Sequence, residues 1–210
     1  MSIKLKGSTD GSVTLQAPAD TSPTGTDKTL ILPTGVGSAN QYLKNGSTPG
    51  TLEFGSIVQG ITELDQWYLT ADHTTNATLT NLARNNFTSA ASQIGTGMSV
   101  SSGIFTFPST GKYLIYFFGG FRINGSDSVS IDLKVTTNNS TYTIAARALE
   151  GNNGSGTRNG SGSILYFIDV TDTANVKVKF DAGSLNSGSE VVGFATDMAT
   201  GFTFIRIGDT

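Results

Sequence analysis

Residues 103–122 read GIFTFPSTGKYLIYFFGGFR and hold seven of the nineteen aromatic side chains in the 210-residue chain. Two β-prone segments, 104–107 and 113–121, flank a Pro-Ser-Thr-Gly turn. Aromatic and β-branched residues bounded by Gly and Pro are typical of strands. The stretch therefore predicts two paired strands.

The second of these strands is apolar on both faces. Alternation places Tyr113, Ile115 and Phe117 on one face and Leu114, Tyr116 and Phe118 on the other. Because antiparallel strands usually leave one face in water, a strand with two apolar faces predicts two covers. In a small all-β protein the second cover is often a neighbouring subunit. The alternative is that all of these side chains fill the core of one subunit.

The composition excludes several classes of protein. Charged residues make up 14% of the chain and the net charge is −3, with no cluster of Lys and Arg, so we expect no nucleic-acid partner. No segment approaches about 18 consecutive apolar residues, so we expect no membrane insertion. There is no cysteine, and the N-terminal MSIKLK lacks the apolar segment of a signal peptide. These features favour folding in a reducing cytoplasm, or stabilisation by oligomerisation.

Strand-like segments recur from about residue 61 onward, with turn residues between them. We predict strands at 66–70, 103–107, 112–122, 128–136, 141–149, 163–170, 175–181 and 201–207. A short helix is predicted at 79–87 from the helical spacing of Leu79, Leu82, Ala83 and Phe87. Eight strands with little helix indicate an all-β jelly-roll sandwich over residues 61–210.

Residues 1–60 have a different composition. They contain four of the five prolines and only two aromatic residues, Tyr42 and Phe54. Short β-prone pieces occur at 12–15 and 29–32, but the apolar content is too low for an independent core. We interpret this region either as a flexible linker or as an extended β-rich arm that packs on other chains.

Catalytic chemistry has little support in the sequence. His73 is the only histidine, and its polar surroundings predict a solvated loop. No Cys or paired His supplies a transition-metal site, and Asp169 and Asp172 are interpreted as turn residues, although a bound calcium ion stays open. We expect a protein that is not an enzyme and that has no cofactor.

The order of the predicted strands divides their connections between two ends of the sandwich. The turns at 109–110, 138–139 and 171–172 fall at one end, and the longer connections at 124–127, 151–162 and 183–200 fall at the other. Loops on a rigid scaffold commonly carry recognition. Polar side chains suited to sugar hydroxyls at the long-loop end are Asn124, Asp127, Asn152, Asn153, Arg158, Asn159 and Asn186.

Two patterns resemble the C1q/TNF-like jelly-roll family. The first is Gly103-x-Phe105-x-Phe107-Pro108-x-x-Gly111-x-Tyr113, and the second is the closing segment GFTFIRI at 201–207. The wider phrasing, including DVTDTANVKV at 169–178, resembles C1q-like domains of phages of marine and cyanobacterial hosts. The N-terminal segments VTLQAP at 13–18, LILP at 30–33, 37–43 and GTLEFG at 50–55 resemble bacteriophage fibre segments.

The resemblance implies a homotrimer with aromatic residues along its three-fold axis, and it gives this role to Tyr113 and to Tyr116 or Phe118. It also implies a virion protein: a short phage fibre or fibre tip that attaches to other virion proteins through residues 1–60 and presents its head to a host-surface glycan. A capsid decoration protein is the alternative, and a polysaccharide-degrading tail spike is a more remote one.

Overall fold

The computed structural model describes residues 2–6, 12–16, 29–56, 60–87, 93–186 and 188–210. The chain divides into two compact units, Met1–Gln59 and Gly60–Thr210. Every regular element in the described residues is a β-strand.

The described residues of the first unit form two hairpins. One is formed by β1 (Ser2–Lys6) with β2 (Ser12–Gln16), and the other by β3 (Gln41–Asn45) with β4 (Leu52–Ser56). The segment predicted at 29–32 contributes a single parallel bridge between Ile31 and Thr51. Within residues 29–56 no large apolar side chain is buried. The exposed ones are Leu30, Ile31, Leu32, Val36, Tyr42, Leu43 and Phe54.

The second unit contains twelve strands in its described residues. They are β5 (Leu64–Leu69), β6 (Leu82–Arg84), β7 (Gln93–Ile94), β8 (Ser99–Ser101), β9 (Ile104–Thr106), β10 (Gly111–Asn124), β11 (Asp127–Thr136), β12 (Thr143–Asn152), β13 (Thr157–Val170), β14 (Lys177–Gly183), β15 (Glu190–Val192) and β16 (Gly201–Gly208). All eight predicted strands are present, with their ends moved by a few residues.

These strands form two sheets that pack face to face. The larger sheet has the order β13-β10-β16-β5-β6, with β15 pairing to β10 and β7 to β5. The smaller sheet has the order β12-β11-β14-β9-β8. Consecutive strands of the chain therefore often lie in different sheets, as in a jelly roll.

Aromatic rings from both sheets fill the space between them. The ring of Phe105 on β9 lies 4.8 Å from that of Phe204 on β16, and Phe117 on β10 stacks at 5.6 Å on Phe180 of β14. Phe202 lies 4.7 Å from Phe180 and extends the same cluster. Such pairs add about 0.5–1.5 kcal/mol each beyond their buried area, so this cluster holds the two sheets together.

The strands on either side of the Pro-Ser-Thr-Gly turn are not paired, which corrects the prediction from the sequence. β9 pairs with β14 and β8, whereas β10 pairs with β13, β15 and β16. The turn crosses from the smaller sheet to the larger one, and Phe107 packs on Tyr113 with ring centroids 4.7 Å apart. The two segments thus meet through side chains in the core.

The helix predicted at 79–87 is also wrong. Residues 82–84 form β6, which pairs antiparallel with β5. Leu79 is buried, and its backbone N–H donates to the carbonyl of Phe180 at 2.9 Å. The apolar residues at helical spacing pack one by one along an extended chain, because β5 and β14 supply hydrogen-bond partners for its backbone and the core buries Leu79.

Two neighbouring glycines of β10 offer a matched test of the core. A Cβ at Gly119 would lie 2.6 Å from Cζ of Phe117, whereas one at Gly120 would lie 3.4 Å from the carbonyl oxygen of Ala199, an ordinary contact. We expect Gly119→Ala to lower the free energy of unfolding by about 1–3 kcal/mol, because it overpacks the core. Gly120→Ala is expected to change it by less than about 0.5 kcal/mol. Urea denaturation measures both, and equal stability of the two variants would contradict the assigned facing of β10.

Candidate functional site

The three aromatic residues that were predicted at a subunit interface do not all lie on the same face of β10. Tyr113 is 1% exposed within the core, and its hydroxyl donates to the carbonyl of Ser109 at 3.0 Å. Burial raises the pKa of this hydroxyl. Tyr113 is therefore a core residue, the alternative that the sequence left open. Tyr116 and Phe118 point away from the core, and Tyr116 is 41% exposed.

The outward side of the larger sheet carries a continuous apolar surface, which we call the apolar face. Its members are Leu114, Tyr116, Phe118, Leu165, Phe167 and Ile205. The register makes them neighbours, since Tyr116 lies opposite Leu165, and Leu114 lies between Phe167 and Ile205. Leu165 is 67% exposed. Scattered exposed apolar residues are ordinary, but a contiguous patch marks an interaction surface.

The sequence contained the signal for the rest of this face. Leu165 and Phe167 lie in a predicted strand that is apolar on both faces, like β10. Only the pairing of β13 with β10 shows that the exposed residues of both strands lie side by side.

The same side of the larger sheet is polar toward the other end of β10. Arg122 forms ion pairs with Glu190 of β15 and with Asp72, the latter at 3.6 Å. Asp72 also accepts the backbone N–H of Gly193 at 2.9 Å. This network fastens β15 to β10. Asn159, predicted in a loop, lies on β13 opposite Arg122.

The registers place the connections at the two ends that the sequence predicted. Gly111 lies opposite Val170, and Lys112 lies opposite Gly208, at the end with the tight turns. Asn124 lies opposite Thr157 at the far end. The second unit begins at the tight-turn end, because Leu64 pairs with Ile205. The first strand residue of this unit therefore lies at the opposite end from the connections 125–126 and 153–156, which are both short.

The predicted loop at 151–162 is mostly strand. β12 continues to Asn152 and β13 begins at Thr157, so only residues 153–156 form the connection. Asn152 is buried; its side-chain oxygen accepts the N–H of Gly154 at 2.9 Å, and its amide donates to the carbonyl of Gly156 at 2.6 Å. Asn152 thus shapes the turn and does not face solvent. The sequence did not indicate these ends of β12 and β13, because their residues are mostly exposed and lack the apolar alternation of a buried strand.

The other residues predicted to bind a glycan differ in how many hydrogen bonds they already make within the chain. Arg158 donates to the carbonyl of Gly151 at 2.7 Å and pairs with Glu150 at 2.8 Å. Asn124 accepts the hydroxyl of Thr157 at 3.1 Å. Asn153 is exposed at the turn. The end of the sandwich opposite the tight turns therefore brings several of these side chains together, although many of their hydrogen bonds are made within the chain.

Asp127 and Asn186 join two connections at this end. The carboxylate of Asp127 accepts the backbone N–H of Asn186 at 3.0 Å and also its side-chain amide. Burial opposes ionisation of Asp127, but hydrogen bonds from Ser189, Asn186 and Ser128 outweigh it and hold the pKa of this carboxyl below its usual range.

The pairing of Asp127 with Asn186 is expected to be sensitive to acid. Because the pKa is lower in the folded state, the pairing stabilises the fold above the usual aspartate pKa, and this stabilisation is lost as the pH falls through the lowered value. We expect the amide resonance of Asn186 to move below about pH 4, and Asp127→Asn to abolish this titration. NMR titration measures both. A titration that survives in the variant would contradict the assignment.

The histidine and the two aspartates that were considered as catalytic or metal-binding residues have structural roles. His73 is buried, which corrects the predicted solvated loop: its backbone bridges Val191, and Nε2 lies 2.8 Å from the carbonyl of Thr75. Asp172 accepts the N–H of Ala174 at 2.8 Å, which confirms its turn role. Asp169 lies within β13, 3.6 Å from Lys112, which corrects its interpretation as a turn residue.

The described part of the chain contains no group of three or more His, Cys, Asp or Glu side chains placed to hold a metal ion. No helix long and apolar enough to cross a membrane occurs in those residues.

Comparison with solved structures identifies the architecture. The structure is similar to that of Eiger TNF from S. frugiperda, with a TM-score of 0.57 at 10% identity, over 72% of this chain and 96% of that chain. The fold is a TNF-like jelly roll. Murine APRIL at pH 8.5 is also similar, with a TM-score of 0.51 at 10% identity, over 69% of this chain and 98% of that chain. No family model and no curated protein matches the sequence.

Proposed function

We propose that this protein is a non-enzymatic, homotrimeric virion component of a bacteriophage, a short fibre or fibre tip. In this proposal the first unit attaches to other virion proteins, and the TNF-like head of the second unit presents its long-loop end to a glycan on the host surface. The apolar face is the observation that supports the proposed trimer. The resemblance of the N-terminal segments to phage fibre sequences supports the virion assignment.

The apolar face suits self-association better than exposure to water. Its six side chains come from three adjacent strands and include no charged group. Burying apolar surface is favourable by about 25 cal/mol per Å², so a neighbouring copy that covers these residues gains stability from each of them. Closed rotational symmetry lets every copy cover the same patch.

The composition of the first unit supports its role in attachment. Seven large apolar side chains of residues 29–56 are exposed, and the chain has no cysteine to cross-link this unit. Hairpins of this size are at best marginally stable alone. Contacts with other virion proteins would cover these side chains.

Two measurements test the proposal. Light scattering on the full chain gives the number of copies, and immunogold labelling of intact particles locates the protein. We expect three copies and label on tail appendages. Label over the capsid would favour the decoration protein instead, and a monomer at micromolar concentration would contradict the assembly. Release of sugar from host envelope would contradict the absence of enzymatic activity.

A further inference from the structure

The chain contains four Asn-Gly dipeptides, at 45–46, 124–125, 153–154 and 159–160. In such a dipeptide the glycine nitrogen can attack the side-chain carbonyl carbon of the asparagine, which closes a succinimide ring and releases ammonia. Water then opens the ring to aspartate or isoaspartate. Glycine favours the attack because it has no side chain and reaches more backbone conformations than other residues. The rate at each dipeptide therefore depends on how the fold holds the glycine nitrogen.

The backbone restrains three of these dipeptides. The N–H of Gly46 donates to the carbonyl of Thr51 at 2.7 Å, and the N–H of Gly125 donates to the carbonyl of Gly156 at 3.2 Å. Residues 159–160 lie within β13 and pair with β10. Ring closure requires the reacting atoms to approach to about 3–3.5 Å in an aligned geometry, which the extended backbone of a paired strand does not allow.

The fourth dipeptide, Asn153-Gly154, is held by a side chain. It lies in the connection between β12 and β13, outside the strand ladder, and Asn153 is exposed. The N–H of Gly154 donates to Oδ1 of Asn152 at 2.9 Å. The amide of Asn152 is anchored in turn, since it donates to the carbonyl of Gly156 at 2.6 Å and to that of Ile123 at 3.4 Å. A single buried side chain therefore holds the attacking nitrogen.

We propose that Asn153 is a latent site of succinimide formation and that the side chain of Asn152 keeps it unmodified. The hydrogen bond directs the N–H of Gly154 toward Asn152 and away from the side chain of Asn153. It also opposes the loss of the proton that the attack requires, because a hydrogen bond made by the protonated form disfavours deprotonation. Asn152 acts as a positioning residue and is not consumed.

The modification would alter the end of the sandwich opposite the tight turns. Aspartate at position 153 adds one negative charge to each chain, and isoaspartate also inserts a methylene group into the backbone of the turn. This turn contacts the neighbouring connection, where the N–H of Gly125 donates to the carbonyl of Gly156. The restraint by Asn152 thus preserves the charge and the shape of this end, whatever the number of copies in the assembly.

Peptide mapping by mass spectrometry tests the proposal on the full chain, after incubation in mildly alkaline buffer and digestion at acidic pH. We expect Asn153 to stay an amide in the unsubstituted protein and to convert about tenfold faster or more in Asn152→Ala, because its nitrogen is no longer held. Asn152→Asp is the matched variant: its carboxylate accepts the same N–H two residues on, so conversion stays slow. Adding Gly154→Ala to Asn152→Ala is expected to slow conversion again, because a Cβ obstructs the attack.

Asn45 and Asn159 serve as internal references in every sample. Both are expected to keep their rates in Asn152→Ala. Equal acceleration of Asn159 would show that the hairpin has loosened as a whole, and it would overturn the specific restraint. Rapid conversion of Asn153 in the unsubstituted protein, or an unchanged rate in Asn152→Ala, would overturn it as well.

Discussion

Replacement of Asp65 by alanine is expected to lower the free energy of unfolding by about 2–4 kcal/mol, because it leaves the buried N–H groups of Trp67 and Met98 without an acceptor and removes the partner of the partly exposed Arg84. Asp65 is 1% exposed, yet its carboxylate has a full set of donors. Nε of Arg84 donates to it at 2.8 Å, Nε1 of Trp67 at 2.8 Å and the backbone N–H of Met98 at 2.7 Å. Its loss leaves these donors unsatisfied.

The contacts around Asp65 also fix the edge of the larger sheet. Arg84 belongs to β6, donates at 2.7 Å to the carbonyl of Met98 and lies 4.8 Å above the ring of Trp67. One carboxylate thus joins β5, β6 and the segment before β8. We expect Asp65→Asn to be nearly as destabilising as Asp65→Ala, because an amide has a single acceptor oxygen and directs N–H groups at other donors.

Chemical denaturation at fixed protein concentration measures this effect, followed by circular dichroism and by fluorescence of Trp67, the only tryptophan. Asp169→Ala is the control: Asp169 is 43% exposed and lies 3.6 Å from Lys112, so its loss should cost about 0–1 kcal/mol. If the Asp65 and Asp169 variants were equally stable, the buried carboxylate would have no special role.

The second large effect concerns assembly. Leu165→Asp is expected to convert the proposed trimer to a monomer, because it places a charge in a surface that loses its water on association. Leu149→Asp is the matched control. Leu149 is 62% exposed on the edge strand of the smaller sheet, so a charge there replaces a similarly exposed leucine outside the apolar face.

Light scattering compares the two variants directly. The control is expected to keep a mass three times the 21.9 kDa of the chain, and Leu165→Asp is expected to give the single-chain mass. Circular dichroism confirms that both are folded. Persistence of the trimer in Leu165→Asp would show that the apolar face is not the interface, and dissociation of both variants would show that the effect is general.

The local sequence pattern was sufficient for the strands and for the jelly-roll class. Alternation with a period of two residues is a property of neighbours in the chain, and it predicted β11 and β14 closely. The order of strands was also sufficient to assign the connections to two ends. Prediction failed at 151–152 and 157–162, where Gly, Ser and Asn concealed strand ends whose residues are mostly exposed.

Pairing between distant segments was beyond the local pattern. The turn at 108–110 is compatible with a hairpin and with a crossing between sheets, and only the pairing of β9 with β14 and of β10 with β13 and β16 distinguishes the two. The ion pair of Asp65 with Arg84 joins residues nineteen positions apart, so no local spacing reveals it.

By itself the sequence determined that residues 113–121 form a strand with two apolar faces that require two covers. The tertiary structure decided which face meets which cover. Tyr113 packs toward the smaller sheet in the core of one chain, whereas Tyr116 and Phe118 lie on the solvent-facing side of the larger sheet. The physical reason is that two faces of similar hydrophobicity carry no local signal of orientation, and only pairing with β13 and β16 sets which side turns inward.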